Sequence, residues 1–467
     1  MSALWTAGEI ADVVKGVAER DFAVTGVTFD SREVGPGDLF VALKGEATDG
    51  HRFVEQAFER GAAGAIVSAD VGGPCVVVAD TFRALNDLGA ASRARSGARI
   101  VGVTGSAGKT GTKEALYAAL DRAAPGRAHR SVKSYNNHTG VPLSLARMPR
   151  EARFGVFEMG MNHPGELAAL TRLVRPHVAI VTTIAPAHRE YFASEEAIAD
   201  AKAEIFEGLE PGGTAIIPFD SPHRERLAAA AKAHAGEILT FGLGEGADVH
   251  ASYVVRGPRG GSMVTAKLPG AQLSYTIAQP GRHWVANSLA VVAAVRAVGG
   301  DLALAGLALA ELGGLKGRGE RHLIAVGGGE ALLIDESYNA NPASMAATLK
   351  VLGEEKVSGR RVAVLGAMRE LGAGSGAFHE ALAAPLEEAH VDYAILVGPE
   401  MAPLAKALGG QVKMAHVADA ATAIPLAREA IGPGDAMLVK GSNSIGLAAL
   451  VEALAGGPST PLGTGTD

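Results

Sequence analysis

Residues 99–114 read RIVGVTGSAGKTGTKE. Ile100-Val101-Gly102-Val103 is a short apolar, β-branched run suited to a buried parallel strand, and a glycine loop follows at once. The order is strand, loop, helix. Gly105 and Gly108 let the backbone turn tightly and aim N–H groups inward, Lys109 supplies a positive charge, and Thr110 offers a hydroxyl to a magnesium ion. Gly105, Ser106, Ala107, Gly108, Lys109, Thr110 and Gly111 are therefore expected to cradle the phosphates of a nucleoside triphosphate. The pattern is Gly-x-Thr-Gly-x-x-Gly-Lys-Thr, and Val103 stands where the commoner P-loop has its first glycine.

Around this loop the chain has 467 residues, which at about 150 per domain predicts three domains. Apolar residues make up 48%, aromatics only 5%, and there are 61 glycines, as α/β layers of Val, Ile, Leu and Ala require. No run of eighteen apolar residues occurs, and the opening MSALWTAGEI lacks a basic segment followed by an apolar one. Neither a membrane span nor a signal peptide is expected, and the cytoplasm is the expected compartment. The single Cys75 lies in the strand-like run PCVVVA and reads as core. A net charge of −7 without clustered Lys and Arg argues against a nucleic-acid partner.

Periodicity divides the chain at 1–95, 96–318 and 319–456, followed by a Gly/Pro/Thr-rich tail at 457–467 expected to be disordered. In the first unit a helix is predicted from Glu9 to Val17, strands at 26–30, 38–43 and 65–67, and a helix at 53–60. The loops Asp30-Ser31-Arg32 and 45–51 are either plain turns or contacts for a polar ligand. The second unit is expected to repeat a strand-then-helix rhythm throughout; a strand at 154–157 ends at Glu158, and one at 178–184 ends shortly before His188. Polar groups thus collect at strand C-termini, the edge where open α/β sheets bind ligands. Taken alone Glu158 could be a strand-end surface charge, but with the phosphate loop upstream it suits Mg²⁺.

Ser194 to Leu209 reads as one helix with a serine N-cap. Lys202 falls on its apolar stripe with Ile198, Ala201 and Ile205. It either snorkels to water or is buried, and a buried lysine tends to lose its proton and can then react with CO₂ to form a carbamate. A long helix opens at Gly281-Arg282-His283-Trp284 and runs to about Val298; its Asn287 is a polar helix residue or a reader of the nucleotide base. The third unit begins with a strand at 331–334 that ends in Asp335-Glu336-Ser337-Tyr338-Asn339-Ala340-Asn341-Pro342, and continues with strands at 362–365, 393–397 and 436–439.

Asp30-Ser31-Arg32, the P-loop, NNHTGVP at 136–142, Glu158-Met159-Gly160, the segment 184–188, Ala201-Lys202 to Phe206, 281–287 and DESYNANP occur in this order. In that order they resemble the Mur ligases of bacterial cell-wall synthesis, and within them the members that add D-alanyl-D-alanine to UDP-N-acetylmuramoyl-tripeptide. The resemblance implies three α/β domains: an N-terminal domain for the UDP substrate, a central P-loop ATPase-type sheet domain and a C-terminal Rossmann-like domain. It implies a monomer that uses ATP and two Mg²⁺ ions to form an amide through an acyl phosphate. By the same resemblance Lys109 binds ATP phosphates, Thr110 and Glu158 hold one Mg²⁺, and His188 with carbamylated Lys202 supports the second. Asn287 would meet adenine, Arg318 the phosphates, and Asp335 with Asn339 the nucleotide from the third domain. Ser31, Arg32, Asn137 and Thr139 would contact the UDP substrate. Ala367, Arg369 and Trp284 stand where aspartate, leucine and asparagine are common in the family. The alternatives are a MurE-like or folylpolyglutamate synthetase-like ligase, disfavoured by DESYNANP and the absence of a DNPR-like stretch, and a P-loop ATPase switch that ligates nothing.

Overall fold

The computed structural model describes residues 3–45, 48–186, 190–257 and 260–456 and the backbone of 459–461. The strand Arg99–Thr104 lies inside a nine-stranded sheet, flanked in parallel by Phe154–Glu158 and Val178–Val181. Val101 and Val103 face one core cluster and Ile100 the other, so the run is apolar because helices cover both of its faces. Lys109–Ala123 and Arg282–Ala297 supply one layer. Gly140–Ala146, Glu166–Val174 and Glu195–Ala203 supply the other.

Register fixes where the functional edge falls. Glu158 pairs with Val103, and Val181 with Thr104, so the three central strands end level beneath the glycine loop. Toward the far edge the strand-and-helix rhythm expected of this region stops. Val249–Arg256, Ser262–Leu268 and Ala271–Ile277 form an antiparallel meander instead. Alternation of buried and exposed residues along SMVTAKL and the Pro269-Gly270 turn are the physical cause, because one face of this part of the sheet meets solvent.

The first unit holds a five-stranded sheet in which Gly26–Thr28, Asp38–Val41, Gly64–Val67 and Cys75–Val77 run parallel. Its first helix spans Ala7–Val14 rather than starting at Glu9, because Thr6 is the N-cap and Glu9 closes a capping box back onto it. Cys75 is fully buried there. The third unit is a seven-stranded sheet whose parallel centre is Arg361–Gly366 beside Ala436–Lys440, with the hairpin Glu320–Val326 and Gly329–Glu336 toward one edge. Of the tail, Ser459–Pro461 pairs antiparallel with Glu320–Val326, and the other residues of 457–467 lie outside the described residues. Among the described residues no helix is long and apolar enough to cross a membrane.

Specific polar ties join the units. Trp5 Nε1 donates to Ala146 O at 2.9 Å while the Arg95 guanidinium lies 3.4 Å over the Trp5 ring. Arg93 donates to Val174 O and Arg175 O, both at 2.8 Å. Asn341 Nδ2 of the third unit donates to Ser106 O of the phosphate loop at 3.2 Å.

His129, whose Nε2 lies 2.7 Å from Ser144 O, and His177, whose Nδ1 accepts from Ile100 N, brace the central sheet. Desolvation drives each from the ordinary 6.5 to about 4, and burial does the same to His283. The unfolded chain therefore binds protons near pH 6.5 that the folded chain refuses until about pH 4. Stability contributed by these neutral imidazoles is present above 6.5 and lost as pH falls toward 4. Urea midpoints should drop across that interval, and His129→Gln should flatten the slope; a midpoint that rises on acidification contradicts this account.

Candidate active site

The glycine loop leaves Thr104 and re-enters helix at Lys109. Gly105 has φ +149°, and a Cβ there would lie 2.0 Å from Thr182 Oγ1, so no other residue lets the loop pass so close to the neighbouring strand end. Thr182 Oγ1 donates to Ala107 O at 2.6 Å, and Ser106 Oγ donates to Ala185 O at 3.0 Å. The loop is thus pinned to the end of the neighbouring strand by Thr182 and to the segment after it by its own Ser106. Lys109 Nζ donates back to Gly105 O at 2.6 Å. Burial pushes its ammonium toward the neutral form and Arg318 adds to that, while the Glu158 carboxylate opposes it.

Level register brings Glu158 to the first turn of the P-loop helix, where Thr110 Oγ1 donates to Glu158 Oε2 at 2.9 Å. Asn136 Nδ2 donates to Oε1 at 2.8 Å. Glu158 is 1% exposed, which excludes the strand-end surface charge. A buried carboxylate beside a hydroxyl at the phosphate end of a P-loop fits Mg²⁺, which takes one or two carboxylates and completes its shell from phosphate and water.

Lys202 is 1% exposed, so its side chain does not snorkel. Desolvation, reinforced by Lys109, holds its amine well below the ordinary lysine range. The helix bearing it ends at Ala203 and passes into a 3₁₀ turn, Glu204–Gly208, where one continuous helix was expected. His188 lies outside the described residues, as do Glu46 and Ala47 of the loop at 45–51.

From the linker just ahead of the third sheet, Arg318 enters the site: its Nη2 donates to Ser134 Oγ at 3.2 Å and its guanidinium stacks 4.1 Å from the Tyr338 ring. Asp335 is engaged elsewhere. Its Oδ2 accepts from Gly317 N at 2.8 Å and its Oδ1 from Ser337 N and Oγ, so it fixes the segment that presents Arg318. Asn339 supplies its carbonyl to Lys440 Nζ at 2.8 Å. Asn287 sits against the phosphate loop, its carboxamide 3.0 Å from the place of a Gly108 Cβ. One turn earlier, His283 and Trp284 line a small cavity with Gln279, Gly319, Arg321 and Glu336, between the helix start and the third sheet.

Ser31 Oγ donates to Gln56 Oε1 at 3.0 Å, and the exposed Arg32 pairs with Asp30 at 2.7 Å. Asn137 Oδ1 accepts from Thr139 N, Thr139 Oγ1 and Gly140 N, which starts the helix Gly140–Ala146. The preceding loop nonetheless reaches the Asp30-Ser31-Arg32 loop, since Lys133 pairs with Glu33 and Tyr135 OH donates to Glu33 Oε1 at 3.1 Å. Ala367 is buried, and Arg369 pairs with Glu400. Asn136, Ser134 and Asn341 were missed as site residues; the Asn136-Asn137 doublet in a loop was the one available signal.

Sequence profiles of the Mur ligases match in three parts: the Mur ligase family catalytic domain at residues 23–121, the middle domain at 103–295 and the glutamate ligase domain at 317–443. The chain belongs to the Mur ligase family. It is 35% identical to the UDP-N-acetylmuramoyl-tripeptide--D-alanyl-D-alanine ligase of Escherichia coli K12, over 96% of this chain and 98% of the relative. With the enzyme of that name from Bacillus subtilis it shares 33% over 97% and 99%. The crystal structure of MurF from Acinetobacter baumannii superposes with a TM-score of 0.82 at 33% identity, covering 96% of this chain and 98% of that one. MurF from Thermotoga maritima in complex with ADP gives 0.75 at 26% identity, with coverage of 92% and 97%.

One feature of this Mur ligase is set by Trp284. A Cβ at Gly111 would lie 2.9 Å from the Trp284 ring, so the tryptophan requires glycine on the facing turn of the P-loop helix. Gly111→Val should cost about 1–3 kcal/mol in urea unfolding through overpacking. Combined with Trp284→Leu, the two losses should be non-additive by about 0.5 kcal/mol or more. Strict additivity would dismiss the contact.

Proposed function

We infer that this chain is an ATP-dependent amide ligase joining D-alanyl-D-alanine to UDP-N-acetylmuramoyl-tripeptide, working as a cytoplasmic monomer in peptidoglycan precursor synthesis. The observation that carries this reading is the convergence of Lys109, Thr110, Glu158 and Arg318 on one strand edge, the last from the linker into the third sheet. The full-length likeness to relatives bearing that ligase name supports the choice of substrates.

In this reading the tripeptide carboxylate attacks the γ-phosphorus of ATP and ADP leaves. The amine of D-alanyl-D-alanine then attacks the acyl phosphate and inorganic phosphate leaves. Two anions meet in the first step, so its barrier falls with every positive group fixed around the phosphates. Lys109 would turn from Gly105 O to the phosphates, and Arg318, held by Tyr338 and Ser134, would meet them from the linker. Thr110 and Glu158 would hold one Mg²⁺ and His188 with a Lys202 carbamate a second, their charge offsetting that of the phosphates. A neutral Lys202 amine adds to CO₂ with loss of a proton, giving an N-carboxylate; burial favours the neutral amine that reacts, and the neighbouring Lys109 charge favours the resulting anion. Asp335 would act by positioning Arg318, and the His283–Trp284 cavity would take the planar base. Residues 1–95 would bind the UDP portion, residues 96–318 ATP and residues 319–456 the dipeptide.

Phosphate release with ATP and UDP-N-acetylmuramoyl-tripeptide should require D-alanyl-D-alanine and should not respond to diaminopimelate or glutamate. Lys109→Ala should lower it by about two to three orders of magnitude with the fold intact. Turnover without an acceptor amine would instead identify a non-ligating ATPase.

For Lys202 the expectation is sharper. Lys202→Ala should lose most activity and recover part of it with acetate or formate, which can occupy the vacated space as anions. Lys202→Arg should stay inactive, because a guanidinium keeps its charge and is not carboxylated. An Arg variant as active as the parent, or a bare amine at Lys202 in a crystal structure of the Mg²⁺-loaded active enzyme, rules the carbamate out.

A further inference from the structure

The hairpin that opens the third sheet carries three metal-ligand side chains on one face. Glu320 and His322 are two residues apart on the strand Glu320–Val326 and so project to the same side. Asp335, on the strand Gly329–Glu336, lies directly opposite Glu320 in the antiparallel register. One ligand atom from each of the three falls within 4.8 Å of the others.

An independent observation makes this more than an acidic cluster. His322 is only 9% exposed, and its Nε2 is buried without a hydrogen-bond partner. Such an atom carries a desolvation penalty that a metal bond would relieve. It is aimed into the cluster, 3.5 Å from Glu320 Oε2. A tetrahedral ion with bonds of about 2.0–2.1 Å separates its ligands by roughly 3.4 Å, so this pair already has the spacing of two ligands on one ion. Asp335 accepts three hydrogen bonds, which leaves lone-pair capacity on its carboxylate. The neighbouring cation, Lys316, is paired with Glu452 at 2.9 Å.

We propose that Glu320, His322 and Asp335 form a binding site for a divalent transition-metal ion of the Zn²⁺ class, with water as the fourth ligand on the partly exposed Glu320 side. The imidazole nitrogen selects against Mg²⁺ and Ca²⁺, which prefer oxygen. The site is separate from the Thr110–Glu158 pair and independent of the ligase reading. It has a structural consequence, because Asp335 also holds Gly317 N, next to Arg318. An ion here braces the segment that presents Arg318 to the central sheet.

The test uses the 467-residue chain stripped of metal by chelation and dialysed against Zn²⁺ alone, with Co²⁺ as a spectroscopic substitute. One Zn²⁺ per chain is expected, together with a tetrahedral-type Co²⁺ visible absorption. His322→Gln and Glu320→Gln should each weaken binding by about tenfold or more and remove the Co²⁺ band. Far-UV circular dichroism should be unchanged in both variants, and their ATP affinity should match that of the metal-free parent. Uptake of zinc with equal affinity in all three chains, or no stoichiometric uptake by the parent, overturns the assignment.

Discussion

The Thr110–Glu158 contact is the interaction on which the rest depends, and it exists only because three parallel strands end in register. Slipping one strand by a single residue would exchange its two faces and turn Glu158 into an apolar layer. The register is protected by burial on both sides: Val101 and Val156 lie in one core while Ile100 and Phe157 lie in the other. Position and chemistry thus share one cause. The glycine loop follows for the same reason, since Gly105 must pass against Thr182 at the end of the adjoining strand.

Around that contact the protein buries an unusual number of ammonium groups. Lys113 is fully buried but donates to Ser131 O and Lys133 O and pairs with Glu114 at 2.9 Å, so it tethers the strand-end loop that carries Ser134 and Asn136. Lys440 is buried against Glu336 at 3.5 Å; desolvation lowers the lysine and raises the carboxyl, the direction expected when two charges share a poorly solvated site. Lys109 rests on its own loop's carbonyl. Lys202 differs from all three, because Lys109, a like charge, is the charged group that acts on it together with desolvation. Two structural lysines therefore have partners that account for their burial, whereas Lys202 has an environment that favours losing its charge.

What was legible in the chain follows from this. The P-loop could be read because its geometry is local: an apolar run, glycines at fixed offsets and a helix. Lys202 could be singled out because helical periodicity alone puts it between Ile198 and Ile205, and the structure leaves it 1% exposed. The antiparallel meander was missed where strand alternation had been treated as part of a βα rhythm, although Pro269-Gly270 marked its turn. Asp335 illustrates the deeper limit. Its carboxyl type and place after a strand suggested a nucleotide contact, while its hydrogen bond from Gly317, a partner visible only once the linker has folded back, gives it a scaffolding part that the sequence does not show. Asn137 likewise spends its side chain on starting a helix.

The linker through Gly317 is where fold and function meet. Arg318 has to reach from this linker to the central sheet, and a free arginine would lose much rotamer entropy in doing so. Here the cost is spread over the scaffold: Asp335 fixes the backbone one residue earlier, Tyr338 offers a ring face, and Ser134 receives one guanidinium N–H. Ser134 stands on the loop tethered by Lys113 and lies 3.4 Å from Thr110 Oγ1. The P-loop threonine, the strand-end glutamate and the linker arginine are therefore joined through one short chain of hydroxyl contacts. A displacement of the third sheet would reach Thr110 through Ser134 and Ser106 through Asn341, which makes the phosphate loop one point at which the two sheets are mechanically coupled.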